Sequence, residues 1–495
     1  MAWNPEFEVA FNPKTIAVVG ASTKPQWMGG TTFIANLQQL GFPGRIYPIN
    51  PKAEGMEIRG LKAYPSLVSV PEPIDLVIVS TPAAQVPSVL EDCIAANARN
   101  IHIFTAGFDE TGEEEGKRLG AKIREIAQRG GLRIVGPNCM GLHVPKARIS
   151  TLEQAATESG PVAFLSQSGG HAGQFVGTAP IHGIHFSKVI SFGNALTLDS
   201  TDFLEYLATD PETKIITMYL EGVKDGGRLT RLVKEINPQK PVIIWKGGLT
   251  ESGGRAVASH TGSLGGTEAI WDGFFKQTGA VRVDSLEELT DVTMTFLYLS
   301  HPPKGRRVAL MGAGGGNSVA GADVCSRAGL EMPTLTEETR KILREFIPPE
   351  GTIIRNPLDI GMVLMDITLL ERALEPIASD PLIDAIIFAL PIGLFGMRPG
   401  ATAQAQETQP QEDVYQRQIT ILSKFSKGSP HRKPVVVVLQ LWRGGVGGAA
   451  GQRARLQAEF IRAGIPAYPS LERASRALAK FIQYHEFQGQ LAEGL

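Results

Sequence analysis

Thr15-Ile16-Ala17-Val18-Val19-Gly20-Ala21-Ser22 opens with five residues of which four are β-branched, and closes on three small ones. β-branched side chains suit a buried strand, and a Gly-Ala-Ser turn lets the backbone reverse tightly and come close to a ligand. Gly29-Gly30-Thr31 then starts an amphipathic stretch through Leu40, so the order is strand, Gly turn, helix. Working outward, Arg45-Ile46-Tyr47-Pro48-Ile49-Asn50, Leu76-Val77-Ile78-Val79, Ile101-His102-Ile103-Phe104 and Leu132-Arg133-Ile134-Val135 read as four more short strands. Helical segments at 84–97 and 112–129 separate the later ones. The alternation predicts a parallel α/β sheet of the Rossmann type.

A Rossmann sheet raises the question of a dinucleotide. The spacing from Gly20 to Gly29 is too long for G-x-G-x-x-G, and the second strand ends on Asn50-Pro51-Lys52, where a nicotinamide site needs an acid for the ribose hydroxyl. That argues against a dehydrogenase. A lysine suits a phosphate-bearing nucleotide, and coenzyme A carries a 3′-phosphate and a pyrophosphate. Ser80-Thr81-Pro82-Ala83, Thr105-Ala106-Gly107-Phe108 and Gly136-Pro137-Asn138-Cys139-Met140-Gly141 load the other strand ends, at the carboxyl edge where ligands bind.

The 495 residues exceed what one core fills, and about 150 residues per domain suggests three. With 43% hydrophobic and 20% charged residues, each can bury a core. The 48 Lys and Arg against 50 Asp and Glu give a net charge of −2, which offers no general field for nucleic acid or an anionic membrane. Cys93, Cys139 and Cys325 match neither a disulfide framework nor a metal-ligand spacing, consistent with a reducing cytoplasm. Met1 to Glu6 does not begin an export signal, and no uncharged apolar run approaches the roughly 18 residues of a membrane span.

In the second region, Val162-Ala163-Phe164-Leu165 runs into Ser166-Gln167-Ser168-Gly169-Gly170-His171-Ala172-Gly173 and a helix. A Ser/Gly turn at a helix start combines free N–H groups with the positive end of the helix dipole, which is an anion site or a plain Ser cap. Further strands at 188–191, 215–220 and 242–246 follow, with a helix at 227–237. The second of them ends on Glu221-Gly222 and the third leads to Gly253-Gly254-Arg255-Ala256-Val257-Ala258-Ser259-His260-Thr261-Gly262-Ser263-Leu264-Gly265-Gly266, read as a small-residue loop displaying one histidine. A carboxylate bonded to one imidazole nitrogen would leave the other free as a nucleophile. His171 is a secondary contact at most, and His182 and His185 lie in a loop without matching partners.

After a Pro/Gly break at 301–305, Val308-Ala309-Leu310-Met311 enters Gly312-Ala313-Gly314-Gly315-Gly316-Asn317-Ser318, a second strand, Gly turn and helix that could bind another anion but is read rather as close helix packing. Buried strands are expected at 386–390 and 435–439, and a surface loop at 398–412.

Gly20-Ala21-Ser22, the segment Tyr47 to Lys52 and Gly136-Pro137-Asn138-Cys139-x-Gly141 resemble the coenzyme A-binding domain of the succinyl-CoA synthetase superfamily. Ser259-His260-Thr261-Gly262, Ser166-x-Ser168-Gly169 and Tyr219-Leu220-Glu221-Gly222 resemble the α-type chain of ADP-forming acetyl-CoA synthetases, as does Asn356-Pro357-Leu358-Asp359. The resemblance covers nearly the whole chain. It implies a Rossmann-like CoA-binding domain over 1–148, a flavodoxin-like ligase domain with a phosphohistidine loop over 151–300, and a second flavodoxin-like domain over 305–490 that meets a partner.

The activity implied is an NDP-forming acyl-CoA synthetase. His260 would carry the phosphoryl group, Glu221 would orient it, and Ser168, Gly169 and Gly170 would hold it. Coenzyme A would be bound by Gly20, Ala21, Ser22, Asn50, Lys52, Ser80, Pro82 and Asn138, with no metal in this chain. The ATP-grasp portion that binds ATP or ADP and Mg²⁺ needs roughly 200 residues beyond the three domains. A separate β-type subunit in a hetero-oligomer is therefore expected. A non-catalytic CoA sensor and a succinyl-CoA synthetase-like ligase are the alternatives.

Overall fold

The computed structural model describes every residue except 1–4, 25–27, 154, 262–265, 300, 313, 361–366, 393–410, 429–432, 442–448 and 495, and leaves out the side chains of residues 258–261 among others. The described chain forms two compact units, one of residues 1–180 and 184–289, the other of 181–183 and 290–495. It adopts the α/β class that the alternation predicts.

The first sheet is built from Thr15–Val19 (β1), Arg45–Ile49 (β2), Leu76–Val79 (β5), Asn100–Ile103 (β6) and Arg133–Val135 (β7), with a small hairpin, Glu57–Ile58 (β3) and Leu61–Lys62 (β4), between β2 and β5. All five strands are parallel, in the order β2-β1-β5-β6-β7. The order reverses between β1 and β5, which opens a crevice outside their carboxyl ends. Every residue of β1 is buried. Helix Glu114–Gly130 buries Leu119, Ile123, Ile126 and Ala127 at helical spacing, and ends at Gly131 in the left-handed conformation, φ 60°.

The second sheet comprises Gly141–Val144 (β8), Ile149–Ser150 (β9), Ser159–Ser166 (β10), Phe186–Ser191 (β11), Ile215–Leu220 (β12), Val242–Lys246 (β13) and Val281–Val283 (β14), ordered β14-β13-β12-β10-β11-β8-β9. Strands β10 to β14 are parallel, while β8 runs antiparallel to β11. Residues 141–150 thus pair with the second sheet although the expected first domain runs to 148. Leu142, Val144 and Ile149 need an apolar face and find it in the core shared by the two sheets, where Ile16, Val18 and Phe33 join Ala163, Leu165 and Ile190. That continuous core is why both sheets lie in one unit.

The second unit holds Val308–Gly312 (β15), Ile353–Ile354 (β16), Leu358–Asp359 (β17), Ala385–Ile392 (β18), Val435–Leu441 (β19) and Ala467–Tyr468 (β20), ordered β16-β17-β15-β18-β19-β20. Its own core contains Met311, Leu358, Phe388, Val437 and Phe460. The loop expected at 398–412 lies outside the described residues as far as 410, and helix Gln411–Gly428 begins directly after them.

Candidate functional site

Three strand ends of the first sheet are tied into one rim. Gly20 has φ 93°, and a Cβ there would come within 3.0 Å of the Ser80 main chain, so only glycine lets the β1 and β5 turns close on each other. Ser80 Oγ donates to the Val19 carbonyl at 3.1 Å. Asn50 Nδ2 donates to the Ala21 carbonyl at 2.7 Å, while its Oδ1 accepts the Lys52 N–H at 2.9 Å. The Ser22 N–H donates to Thr31 Oγ1 at 2.9 Å. Gly20, Ala21, Ser22, Asn50, Lys52 and Ser80 are thereby brought together, and Lys52 and Pro82 are exposed beside them.

Asn138 follows β7. Its φ is 55°, its N–H donates to the Thr105 carbonyl at 2.9 Å, and Thr105 Oγ1 donates to the Thr81 carbonyl at 2.6 Å, linking it to the Ser80–Pro82 turn. The loop after β11 wraps this segment. Gly193 has φ 50°, and a Cβ on it would lie 2.3 Å from the Asn138 carbonyl oxygen. Such contact admits only glycine.

A cavity of about 660 Å³ opens here, shared by Asn138 and Met140 after the first sheet, by Gln167, Ser168, Gly169 and Gly170 after β10, and by Asn194 after β11. Ser168 caps helix Gly169–Thr178, its Oγ accepting the His171 N–H at 3.3 Å. The first amides of a helix have no intrahelical acceptor, and the dipole favours an anion there. A Cβ on Gly170 would meet nothing nearer than Ser168 Oγ at 3.8 Å, so this position faces open space. Glu153 is the only charged residue in the described lining. Among the described residues, an anion in the cavity meets amide and hydroxyl donors.

Glu221 is buried at the end of β12, outside the cavity lining. Tyr219 Oη donates to its Oε1 at 3.2 Å. The Glu221 and Gly222 N–H groups both donate to Gln167 Oε1, the latter at 2.9 Å, and Gln167 in turn reaches the cavity. Lys246 Nζ donates to the Glu221 carbonyl at 2.8 Å and to the Gly247 carbonyl. Burial pulls the Lys246 ammonium down to about 8, against the opposing charge of Glu221. The His171 ring lies 4.6 Å from that of Tyr219 and 4.5 Å from that of Trp245. Burial lowers its pKa while Glu221 raises it.

The segment expected to be a loop around His260 is in large part helical, Glu251–Thr261. Thr250 starts it, its Oγ1 accepting the Gly253 N–H at 3.1 Å and its carbonyl the Gly254 N–H at 2.7 Å. An Arg255–Glu251 pair one turn apart bridges its exposed face at 2.6 Å. These contacts offset part of what the Gly253-Gly254 pair costs the helix. The helix packs beside the turn Asp109–Thr111. The His260 side chain and residues 262–265 lie outside the described residues.

Gln167, Asn194 and Lys246 escape the sequence reading, although Gln167 stands inside the Ser/Gly turn and Lys246 closes a strand that points at the histidine segment. His182 Nδ1 has a partner after all, Gln457 at 3.1 Å, and His185 lies 3.6 Å from Glu158. At the Gly312–Ser318 turn, Asp359 Oδ1 accepts the Gly314 N–H at 2.8 Å, so a carboxylate already stands where an anion would go. Burial pushes the Cys139 thiol up to about 12, which removes it as a nucleophile. No helix among the described residues is long and apolar enough to cross a membrane.

Residues 14–145 match the family model described as a CoA binding domain, and residues 159–296 that of a succinyl-CoA ligase like flavodoxin domain. The α subunit of ADP-forming acetate–CoA ligase II of Pyrococcus furiosus is 39% identical over 395 residues, 80% of this chain and 84% of that one. The α subunit of acetate–CoA ligase I of the same organism is 34% identical over 491 residues, 98% and 99% of the two chains. The chain belongs to the family of ADP-forming acetate–CoA ligase α subunits. As an NDP-forming acyl-CoA synthetase α subunit it is an enzyme of the ligase class. A solved acetyl-coenzyme A synthetase 1 of Ca. Korarchaeum cryptofilum, in complex with phosphate and ADP, matches this α subunit over 99% of both chains, with a TM-score of 0.81 and 31% identity. The α subunit spans about half the length of other curated relatives that it matches, 54% of ADP-forming acetate–CoA ligase I of Archaeoglobus fulgidus.

Proposed function

We propose that this α subunit interconverts acyl-CoA, ADP and phosphate with a carboxylic acid, coenzyme A and ATP, through an acyl phosphate and phosphorylated His260. The observation that carries this is the cavity shared by Asn138, tied to the first-sheet rim, and by Ser168, Gly169 and Gly170 at a helix start. A thioester reaching over the rim and a phosphate at the helix would meet there. Coenzyme A would lie on Gly20, Ala21, Ser22, Asn50, Ser80 and Pro82, with exposed Lys52 placed for a phosphate.

The amides of Gly169 and Gly170 hold the phosphate while one of its oxygens bonds to the thioester carbonyl carbon. The C–S bond breaks, its electron pair leaves with sulfur, and the phosphate proton ends on the thiol. His260 then bonds to phosphorus as the P–O bond to the acyl group breaks, releasing the carboxylate and the displaced imidazole proton. Glu221 fixes the imidazole tautomer, and the helix start stabilises the dianionic phosphoryl group. Transfer to ADP regenerates His260.

The nucleotide and Mg²⁺ would reside on a separate ATP-grasp β-type chain, in a cytoplasmic hetero-oligomer. Residues 1–148 would serve coenzyme A, 151–300 the phosphoryl chemistry and 305–490 the partner. The test is to incubate the chain with its partner, ATP and Mg²⁺ and to measure acid-labile phosphate. Labelling should vanish in His260→Asn, and full labelling of that variant would overturn the phosphohistidine.

A further inference from the structure

We infer that Asn138 donates a side-chain N–H to the carbonyl oxygen of the acyl thioester, and that Glu110 and Asn194 are positioning residues that hold its amide in that orientation. The inference rests on the coenzyme A reading of the cavity. Glu110 Oε1 accepts the Gly107 N–H at 2.6 Å, and its Oε2 accepts the Phe108 N–H at 3.2 Å. Oε2 also accepts from Asn194 Nδ2. A carboxylate offers only acceptors, so the amide facing it must present its NH₂ end.

That choice propagates. With Asn194 Nδ2 turned to Glu110, its Oδ1 is left to face Asn138, and Asn138 Nδ2 donates to it at 3.3 Å. The Asn138 amide is therefore also set with nitrogen toward Asn194, and a primary amide has a second N–H. Both asparagines line the cavity that holds Gly169 and Gly170. The Asn138 backbone is fixed by its bond to the Thr105 carbonyl and by Gly193 against its own carbonyl.

The second N–H then has a defined task. When a phosphate oxygen bonds to the acyl carbon, the carbonyl π pair moves onto its oxygen, and a pre-aimed donor binds that oxyanion more strongly than the ground-state carbonyl. Collapse returns the pair to the carbonyl as the C–S bond breaks. Asn138 neither gains nor loses a proton in the cycle.

The test uses the intact α subunit with its partner chain, acetyl-CoA as probe, and arsenate in place of phosphate, reading thiol release. Glu110→Gln allows the Asn194 amide to flip, and Asn194→Asp sets two carboxylates face to face. Each should lower kcat by about 100-fold, with KM for acetyl-CoA moving less than about threefold. In the double variant Glu110→Gln/Asn194→Asp, the new amide at position 110 can keep its oxygen on the Gly107 N–H and donate its NH₂ to the new carboxylate at position 194, giving up the bond from the Phe108 N–H. That carboxylate can still accept from Asn138, so kcat should rise at least about tenfold above the slower single variant. A double variant no faster than the slower single variant, or single variants that raise only KM, would overturn the relay. Calorimetric titration with coenzyme A separates the two levels. Wild-type protein that binds none sinks the site reading itself, whereas tight binding without rescue sinks only the relay.

Discussion

The ammonium of Lys246 donates to the main-chain oxygen of Glu221 at 2.8 Å, so the end of β13 holds the end of β12 in place and sets a positive charge beside the Glu221 carboxylate. Burial lowers the pKa of this ammonium to about 8, so the charge is complete below that pH and is lost above it. Phosphoryl transfer should therefore show an alkaline limb near pH 8 in a rate profile. Lys246→Arg, which does not titrate in this range, should move that limb up by more than about one pH unit. A limb unchanged in the arginine variant would show that another group titrates.

Asn50 ties the β1 turn to the β2 turn by one bond to the Ala21 carbonyl and one from the Lys52 N–H. Asn50→Ala loses both and should cost about 1–2 kcal/mol in a urea melt. Lys52 is exposed and should act on the ligand alone. Lys52→Ala should weaken coenzyme A by about tenfold by calorimetry, the size of a charge-assisted hydrogen bond, while leaving 3′-dephospho-CoA unchanged. Equal loss for both ligands would place Lys52 elsewhere on coenzyme A.

Gly170 separates stability from function. A Cβ there meets no atom nearer than 3.8 Å, and alanine is a better helix residue than glycine by roughly 0.5–1 kcal/mol. Gly170→Ala should therefore melt no lower than wild type. Its methyl group would nevertheless occupy the space beside the amides that hold phosphate, and KM for phosphate should rise by at least about tenfold.

Gly193→Ala makes the opposite prediction. The new Cβ would lie 2.3 Å from the Asn138 carbonyl oxygen, at a residue already in the left-handed region. Backbone must move, and a loss of about 2–4 kcal/mol in chemical unfolding, with coenzyme A binding impaired, is expected. A stable variant with unchanged binding would contradict the close packing of these two loops.

Much of the fold is legible along the chain because parallel strands buried on both faces must be apolar runs, and the turns at their carboxyl ends must be small. Thr15–Val19, Leu76–Val79 and Ile215–Leu220 are strands for that reason. The segment around His260 misleads, because small residues read as a loop while Thr250 and the Glu251–Arg255 pair support a helix. The pairing of residues 141–150 with the second sheet is not legible, because a short apolar run does not announce its partner.

By itself the sequence determined the strand, turn and helix order, the strand-end residues available to a ligand, and the family. The tertiary structure decided which of those ends meet. Asn138 and Ser168 share a cavity because β10 and β11 of the second sheet carry their turns against the end of β7, and Gly193 allows that approach. Gln167, Asn194, Glu110 and Lys246 acquire their places the same way. Hydrogen-bond partners 25 to 84 residues apart leave no trace in local periodicity, which reflects only the contacts each element makes with its own layer.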